Sequence, residues 1–261
     1  MRSAVLGFTL AMALAACATP QSSSRQLTAA DYATALADPA RPAAERERDV
    51  ARKPGDLLAF AQVRPGMRVG DFVMGGGYMT RVLSAAVGPT GKVYAFQPAE
   101  FIAFRSQYGD DQRTVDAAYS NVDAVNGRFE APPFPEPLDL IVTVQNFHDL
   151  YLNPFPQGTG TRASAALFAA LKPGGTLVLV DHSAAAGTGT RDSDSLHRID
   201  REHAIATLTA AGFVLDGESN LYARLADPRT ANVFDASIRG QTDQFTLRFK
   251  KPGPQGSGYR P

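Results

Sequence analysis

The sequence has little of three features that define other protein classes. Tryptophan is absent from the 261 residues, cysteine occurs once, and 26 Lys and Arg balance 26 Asp and Glu. A single cysteine excludes an internal disulfide framework, so packing of the core must stabilise the fold. Without a basic excess the chain lacks the positive surface that neutralises phosphates, and we expect no nucleic-acid partner. The overall composition, with 44% hydrophobic and 20% charged residues, is typical of a globular domain.

The one cysteine, Cys17, follows a short apolar segment. Residues 4–16 are almost wholly apolar, which is the length of a signal-peptide core and short for a transmembrane helix. Residues 14–17, LAAC, are similar to a bacterial lipobox, in which the cysteine is acylated. We predict a signal peptide over residues 1–16, a flexible tether over 17–27 and a lipid on Cys17 as the sole membrane attachment, with the protein in the cell envelope, on the outer membrane facing the periplasm. A plain signal peptide is the alternative.

Apolar stretches alternate with helical patterns through the predicted domain, residues 28–251, ahead of a predicted disordered tail at 252–261. Strands are predicted near residues 68–73, 92–97, 121–125, 138–145, 176–181, 213–222 and 241–250. Helices are predicted near residues 29–37, 56–62, 78–87, 99–108, 112–119, 162–171 and 201–211. This alternation is typical of a parallel sheet covered on both faces. We therefore predict a doubly wound, mostly parallel α/β sheet of seven strands, with an antiparallel edge strand and N-terminal helices.

Residues 42–53 mix charges of both signs. Arg46, Arg48 and Arg52 alternate with acidic residues at positions 45, 47 and 49. Interleaved charges of this kind are more typical of a solvated helix face than of a binding patch. We therefore predict that this segment lies on the surface.

A glycine-rich turn follows the first predicted strand. Residues 69–78 read VGDFVMGGGY, with Asp71 in the strand and Gly75 and Gly77 in the turn. Glycines let a backbone approach a ligand closely and leave the amides of the following helix free to meet it. Open α/β sheets bind ligands beyond the carboxyl ends of their strands, so we predict a ligand site here. Asp71 either faces the ligand or caps the amides of the turn.

Polar residues end the other predicted strands. Gln97 ends the second strand, Asn146, His148 and Asp149 follow the fourth, and residues 181–183 (DHS) follow the fifth. An imidazole with a pKa near 6.5 is suited to general-base catalysis, so His148 is the predicted base and Asn146 an orienting group. A histidine that is hydrogen-bonded within its loop is the alternative.

The same strand ends allow two other interpretations. No G-x-S-x-G elbow accompanies residues 181–183, so we predict no nucleophilic triad. A metal site from His148, Asp149 and the 181–182 pair is conceivable, but no ligand-spacing motif supports it and we predict no metal. Arg198 could reach an acidic substrate, although a salt-bridged loop anchor is the preferred interpretation.

The order of elements, the glycine turn and the LKPGG turn at residues 171–175 together resemble the class I S-adenosylmethionine-dependent methyltransferase fold, over residues 57–250. The segments DFVMGGGYMTRVLSAAVGPTGKVYAF, QNFHDLY, LHRID and VFDASIRGQTDQFTLRF are similar to a group of bacterial proteins described as predicted methyltransferases. The resemblance implies S-adenosylmethionine as cofactor and an unidentified small-molecule or protein acceptor. The implied cofactor-binding residues are Asp71, Gly75, Gly77, Gln97 and Arg128, and the residues implied to face the acceptor are Asn146 and His148.

Three positions depart from the pattern of that family. Val73 occupies the first glycine of the D-x-G-x-G-x-G turn, Gln97 replaces the acid that grips the ribose, and Arg128 stands where an acidic contact to adenine is common. Export would also place the chain away from the cytosolic source of the cofactor. A second hypothesis therefore stays open, in which an envelope lipoprotein uses the domain to bind a small molecule or a protein without catalysis.

Overall fold

Seven strands form one sheet in the computed structural model, which describes residues 25–253. They are β1 (Arg68–Phe72), β2 (Lys92–Pro98), β3 (Val122–Gly127), β4 (Leu138–Val144), β5 (Leu171–His182), β6 (Val214–Ser219) and β7 (Gln244–Lys250). Their order is β3-β2-β1-β4-β5-β7-β6. The first five strands pair in parallel, and β7 is antiparallel to both β5 and β6. The predicted doubly wound, mostly parallel sheet is confirmed, with the antiparallel strand one place in from the edge.

The helices of the described part of the chain surround this sheet. They are α1 (Ala33–Leu36), α2 (Ala43–Glu47), α3 (Asp49–Arg52), α4 (Pro54–Ala61), α5 (Tyr78–Val87), α6 (Ala99–Phe104), α7 (Gln107–Ala118), α8 (Thr159–Ala170), α9 (Ser193–Leu196) and α10 (Arg201–Ala210), with 3-10 turns at Ala29–Tyr32 and His148–Tyr151. The helix predicted at 99–108 ends early because Arg105 adopts an extended backbone, and α7 then begins a new helix.

Both faces of the sheet are buried. Along β5, Leu177 and Leu179 belong to the core cluster that includes residues of α8 and α10, whereas Val178 and Val180 belong to the cluster that includes residues of α4, α5 and α7. Neighbouring residues of a strand point to opposite faces, so a continuous apolar run is what a strand covered on both sides requires. The near-continuous hydrophobic strands that the sequence shows are explained by this arrangement.

Residues at both ends of the chain lie outside the described region, which begins at residue 25 and ends at residue 253. Residues 1–24, with the predicted signal peptide and Cys17, and residues 254–261 of the predicted tail lie outside the described residues. Within the predicted tether, Leu27 bonds through both backbone groups to the side chain of Gln62, each at 2.9 Å. The chain is thus attached to the domain from residue 27 onward. Between residues 25 and 253, no helix is both long and apolar enough to cross a membrane.

A buried ion pair fixes the irregular segment that precedes β7. The Arg198 side chain is wholly buried, and its Nη1 donates to Oδ2 of the equally buried Asp227 at 2.8 Å. The same guanidinium donates to the carbonyls of Ser183 at 3.1 Å and Ala231 at 3.0 Å. Arg198 therefore ties this segment to the end of β5, which agrees with the loop-anchor interpretation and excludes contact with a substrate.

Candidate functional site

A cavity of about 870 Å³ opens at the carboxyl ends of β1 and β4. The strand order reverses between these two strands, which is where doubly wound sheets bind ligands. The volume is within the roughly 300–1,000 Å³ that ligand pockets occupy. Its lining includes Asp71, Gly75 and Gly76 from β1 and the glycine turn, and Asn146, His148 and His197 from the segments that follow β4 and α9. The glycine turn and the polar ends of β4 and β5 thus share one space.

The glycine turn keeps its backbone shape although valine replaces one glycine. Val73 has φ +70°, Gly75 has φ +55° and Gly77 has φ +85°. A positive φ is rare for a β-branched residue and costs on the order of 1–3 kcal/mol. The amide of Met74 donates to the carbonyl of Phe96 at 2.9 Å, which pins the turn to β2. The strained Val73 therefore stands in the conformation that its glycine equivalent would adopt without cost.

The two predicted glycines of the turn have different surroundings. A Cβ added to Gly75 would meet no atom within 4 Å, and Gly75 lines the cavity. A Cβ added to Gly77 would lie 2.6 Å from Cγ2 of Val115 on α7, and Gly77 is not among the residues that line the cavity. Gly75 therefore leaves space for a ligand, whereas Gly77 leaves space for a helix.

Gln97 orders the turn from behind. Its side chain is fully buried, and Oε1 accepts a hydrogen bond from the amide of Gly75 at 3.0 Å, while Nε2 has no partner within residues 25–253. The carboxylate that lines the cavity near this strand is Glu100, in the first turn of α6, which accepts from the amide of Phe129 at 3.0 Å. Glu100 was not predicted as a site residue, because it lies in the first turn of α6 and not at the end of β2.

Asp71 lies between the turn and the core. Its carboxylate accepts a hydrogen bond from the hydroxyl of the buried Thr80 at 2.6 Å. Burial raises the pKa of Asp71 to about 6, and the bond from Thr80 opposes that rise only in part. Asp71 also lines the cavity, as expected if it faces a ligand, and its bond is to the hydroxyl of Thr80 on α5 and not to an amide of the turn.

Arg128 is placed away from the cavity. The side chain is 69% exposed and pairs with Glu130 at 2.6 Å. A short bridge between Arg128 and Ala131 reverses the chain directly after β3, which carries this residue out of the lining. The contact to adenine that the resemblance implied for Arg128 has no counterpart in this geometry.

The charged segment at 42–53 folds over the glycine turn. Asp49 accepts bonds from both terminal nitrogens of the buried Arg41 at 2.7 Å, and from the hydroxyl of Tyr78 at 2.6 Å. Arg81 of α5 pairs with Glu45 of α2 at 2.7 Å. These contacts join α2 and α3 to the start of α5, so the segment becomes a wall of the cavity.

Two arginines of that wall face the cavity without an acidic partner. The guanidinium carbons of Arg48 and Arg52 lie 5.5 Å and 4.6 Å from the ring centroid of Tyr78. No ion pair forms at either side chain within the part of the chain that the structure describes. Burial lowers the pKa of Arg52, and the neighbouring charge of Arg48 lowers it further. Arg48 is exposed, as the surface prediction has it, and Arg52 is half-buried. Both also border the cavity, where two adjacent cations favour an anionic ligand group.

His148, which lines the same cavity, is held between two carboxylates. Its Nδ1 lies 2.7 Å from Oδ1 of Asp181, and its Nε2 lies 3.2 Å from Oδ1 of Asp149. Burial opposes the charged form, but the two carboxylates outweigh it and raise the pKa of His148 to about 10. An imidazole that is protonated at neutral pH cannot accept a proton, so the geometry opposes the predicted general-base role and favours the alternative of a hydrogen-bonded histidine.

Asn146 and two further histidines complete this polar end. Asn146 donates from Nδ2 to Oδ2 of Asp149 at 3.1 Å and so orients that carboxylate. Burial lowers the pKa of His182 to about 4, so this imidazole is neutral, and its Nδ1 bonds to the hydroxyl of Thr242 at 2.9 Å. His197 enters from the loop after α9 with φ +53°, and its Nδ1 lies 3.9 Å from Oδ1 of Asp149. His197 was not predicted as a site residue, because no spacing pattern links it to residue 148, although it lies in the LHRID segment.

No family model matches the chain. Among curated proteins, it is 28% identical over 194 residues to the ubiquinone/menaquinone biosynthesis C-methyltransferase UbiE of Ectopseudomonas mendocina, covering 73% of this chain and 65% of that protein. The UbiE protein of Pseudomonas aeruginosa (strain LESB58) is 29% identical over the same length, again with 65% of the relative covered. The chain thus corresponds to slightly less than two thirds of the length of these relatives.

Solved structures share the architecture at lower identity. A SAM-dependent methyltransferase from Aquifex aeolicus superposes with a TM-score of 0.54 at 18% identity, covering 81% of this chain and 98% of that one. The [4+2]-cyclase SpnF gives a TM-score of 0.55 at 18% identity, covering 81% and 82%. The chain therefore has the class I SAM-dependent methyltransferase fold, and proteins named for different reactions share it.

Proposed function

We propose that the protein transfers a methyl group from S-adenosylmethionine to a small, largely apolar acceptor. The observation that carries this proposal is the single cavity that runs from the glycine turn to the polar ends of β4 and β5. A methyl transfer needs a donor and an acceptor aligned in one shielded space, and alignment supplies most of the rate enhancement. Methyltransferase relatives at 28–29% identity support the reaction class.

The residues at the glycine turn fit this cofactor. The open space beside Gly75 admits a ligand against the backbone, and Glu100 offers a carboxylate that can accept bonds from ribose hydroxyls. Arg48 and Arg52 offer unpaired guanidinium groups for the carboxylate of the amino-acid portion. The bound cofactor supplies an electrophilic methyl group on a positively charged sulfur.

At the acceptor end, the chain orients the substrate and excludes water. Asn146 and Asp149 present fixed polar atoms, and His182 presents a neutral imidazole that can accept a hydrogen bond. His148, whose two ring nitrogens each lie against a carboxylate, stabilises this arrangement.

Aromatic side chains indicate the class of acceptor. Phe101, Tyr108 and Phe155 line the cavity, and two further phenylalanines that line it, Phe104 and Phe234, are 87% and 59% exposed. Exposed aromatics that border a cavity favour an apolar or ring-bearing molecule, because its binding removes their surface from water. We therefore propose a small molecule, and not a protein, as the acceptor.

Calorimetric titration of the full chain, purified in mild detergent, tests cofactor binding. We expect saturable binding of S-adenosylmethionine and of S-adenosylhomocysteine, and about tenfold or greater weakening in Arg52→Met, since one charge-assisted bond contributes roughly 1.5–3 kcal/mol. Arg191→Met, which changes a 70% exposed arginine outside the cavity, is the matched control and should bind normally. Absence of binding by either ligand at millimolar concentration would refute the proposal.

A second candidate is a binding protein without methyl transfer. Gln97 stands where the resembling methyltransferases have an acid that binds the ribose, and its side-chain oxygen already accepts a hydrogen bond from the amide of Gly75. This is a specific departure from the methyltransferase pattern. The [4+2]-cyclase with this fold illustrates that the architecture is not tied to one reaction. Binding of a small molecule from the cell envelope, without binding of S-adenosylmethionine, would favour this candidate.

We also propose that the chain is an exported lipoprotein, anchored through a lipid on Cys17 and residing at the outer membrane facing the periplasm. The apolar segment at 4–16 and the lipobox-like residues 14–17 support this. Metabolic labelling with a radioactive fatty acid should mark the wild-type protein, and Cys17→Ser should abolish the label. A labelled Cys17→Ser protein, or a wild-type protein confined to the cytosol, would exclude the proposal.

A further inference from the structure

Three side chains at the acceptor end of the cavity converge on one point. The donor atoms of His148, Asp149 and His197 all lie within 4.8 Å of one another. Nε2 of His148 is 3.2 Å, and Nδ1 of His197 is 3.9 Å, from Oδ1 of Asp149. Two atoms that each lie about 2.1 Å from one metal ion are about 3.0 Å apart at a right angle and at most about 4.2 Å apart. Both distances to Asp149 fit a shared ion as they stand.

Buried groups already orient two of these ligands. Asp181, whose side chain is wholly buried, lies 2.7 Å from Nδ1 of His148, and a proton on that nitrogen leaves Nε2 as the ligand atom. Asn146 donates to the other oxygen of Asp149 at 3.1 Å. A carboxylate behind a histidine ligand is the usual outer support of a metal site, because it fixes the tautomer and the ring plane.

The third ligand is held in a costly conformation. His197 adopts φ +53° at the end of α9, in the left-handed region that few residues other than glycine occupy. The backbone there is anchored on both sides of the histidine, since Arg198 is bonded to Asp227 and the amide of Leu196 donates to the carbonyl of Asp192 at 3.0 Å. The side chain is a quarter exposed, so it has room for the shift of up to about 1.4 Å that would bring its nitrogen from at most 4.8 Å to the roughly 3.4 Å that separates two ligand atoms of a tetrahedral ion.

We propose that His148, Asp149 and His197 bind one divalent transition-metal ion of the zinc or iron type. Two imidazoles and one carboxylate are the donor set of catalytic zinc and of iron sites that keep open coordination positions. All three residues line the cavity, so the remaining positions face the space assigned to the acceptor. Hard cations such as Mg²⁺ prefer oxygen ligands and are excluded by this set.

An ion at this point sets the chemistry of what binds beside it. Its open positions take an oxygen donor, such as a phenol, an enol or a carboxylate, so the acceptor class narrows to an apolar molecule that carries such a group. This last step rests on the proposed methyl transfer, whereas metal binding itself does not. None of the three metal ligands belongs to the glycine turn, so binding of the metal and binding of S-adenosylmethionine can be measured apart.

Titration of the metal-free full chain with Zn²⁺ tests the site directly. We expect one equivalent to bind, and Co²⁺ in its place to give visible absorption bands typical of nitrogen and oxygen ligands. His197→Ala should weaken Zn²⁺ binding by about 100-fold, and Asp181→Asn by about 10- to 100-fold through its effect on His148. Because His197 is partly exposed, its substitution is not expected to unfold the protein, which a thermal melt verifies.

His203→Ala is the matched control, because it removes another of the four histidines, one outside the cavity, and should leave one equivalent bound. Mg²⁺ at the same concentration should give no saturable binding. The proposal is overturned if Zn²⁺ shows no one-to-one binding at micromolar concentration, or if His197→Ala binds as tightly as wild type. Titration of the same samples with S-adenosylmethionine reports on the proposed function separately, whichever result the metal gives.

Discussion

Removal of the Arg198 charge should destabilise the fold far more than removal of an exposed arginine. In Arg198→Met the Asp227 carboxylate keeps only two backbone bonds, from the amide of Arg229 at 2.9 Å and from that of Asp243 at 2.6 Å. Its charge then remains buried without a counter-ion. Breaking one partner of a buried pair costs about 3–5 kcal/mol. At roughly 2–4 °C per kcal/mol for a domain of this size, the melting temperature should fall by about 6–20 °C.

Scanning calorimetry or circular dichroism melts measure this shift, and two further variants isolate its cause. Arg191→Met changes another arginine paired with an aspartate, but one that is 70% exposed, and should shift the melting temperature by less than about 2 °C. Asp227→Asn added to Arg198→Met removes the unpaired charge but keeps only one of the two oxygens that accept from the amides of Arg229 and Asp243. The double variant should therefore recover part of the stability that the single one loses.

A melting temperature of Arg198→Met within about 2 °C of wild type would contradict this prediction, because a wholly buried carboxylate cannot lose its paired cation at so small a cost. A double variant less stable than Arg198→Met would contradict it as well. In that case the four hydrogen bonds of the guanidinium, and not its charge, would stabilise the segment before β7.

Three further predictions concern the cofactor end of the cavity. Glu100→Gln should weaken S-adenosylmethionine binding about tenfold by calorimetry, whereas Glu130→Gln, outside the cavity, should not; equal affinities would contradict the ribose assignment. Burial raises the pKa of Asp71 to about 6, above the roughly 3.9 of an unfolded aspartate, so the folded state binds this proton more tightly. The stability of the wild-type protein therefore falls as the pH rises from about 4 to about 6. Asp71→Asn should remove that loss, so its melting temperature relative to wild type should rise across this interval, and parallel pH profiles would speak against it. Gly75→Ala should reduce cofactor affinity at a stability cost of about 1 kcal/mol, whereas Gly77→Ala, whose Cβ would lie 2.6 Å from a core methyl group, should destabilise the fold more strongly; the reverse order would refute the assignment of the two glycines.

Much of the fold was predictable because local patterns decide it. The alternation of apolar strands and amphipathic helices predicted the place of all seven strands, although β5 begins five residues before the predicted start, at Leu171. Helix α5 begins and ends at the predicted Tyr78 and Val87. The position of the site was predictable for the same reason, since parallel strands bring their carboxyl ends to one edge. Boundaries were less certain where one backbone torsion decides them, as at Arg105 between α6 and α7.

The sequence by itself determined the doubly wound, mostly parallel sheet, the glycine turn and the polar residues that follow the strands. Each of these depends on the spacing of residues along the chain. Only the tertiary structure decided the partners. The fold brings one carboxylate to each ring nitrogen of His148, so this residue is a candidate ion-pair partner or metal ligand and not a candidate base. The fold also brings His197, from a loop distant in sequence, close to Asp149. It also folded Arg48 and Arg52 over the cavity. The same charge pattern suits a solvated helix face and a cavity wall, because the free energy of a charge depends on which groups surround it and not on its neighbours in sequence.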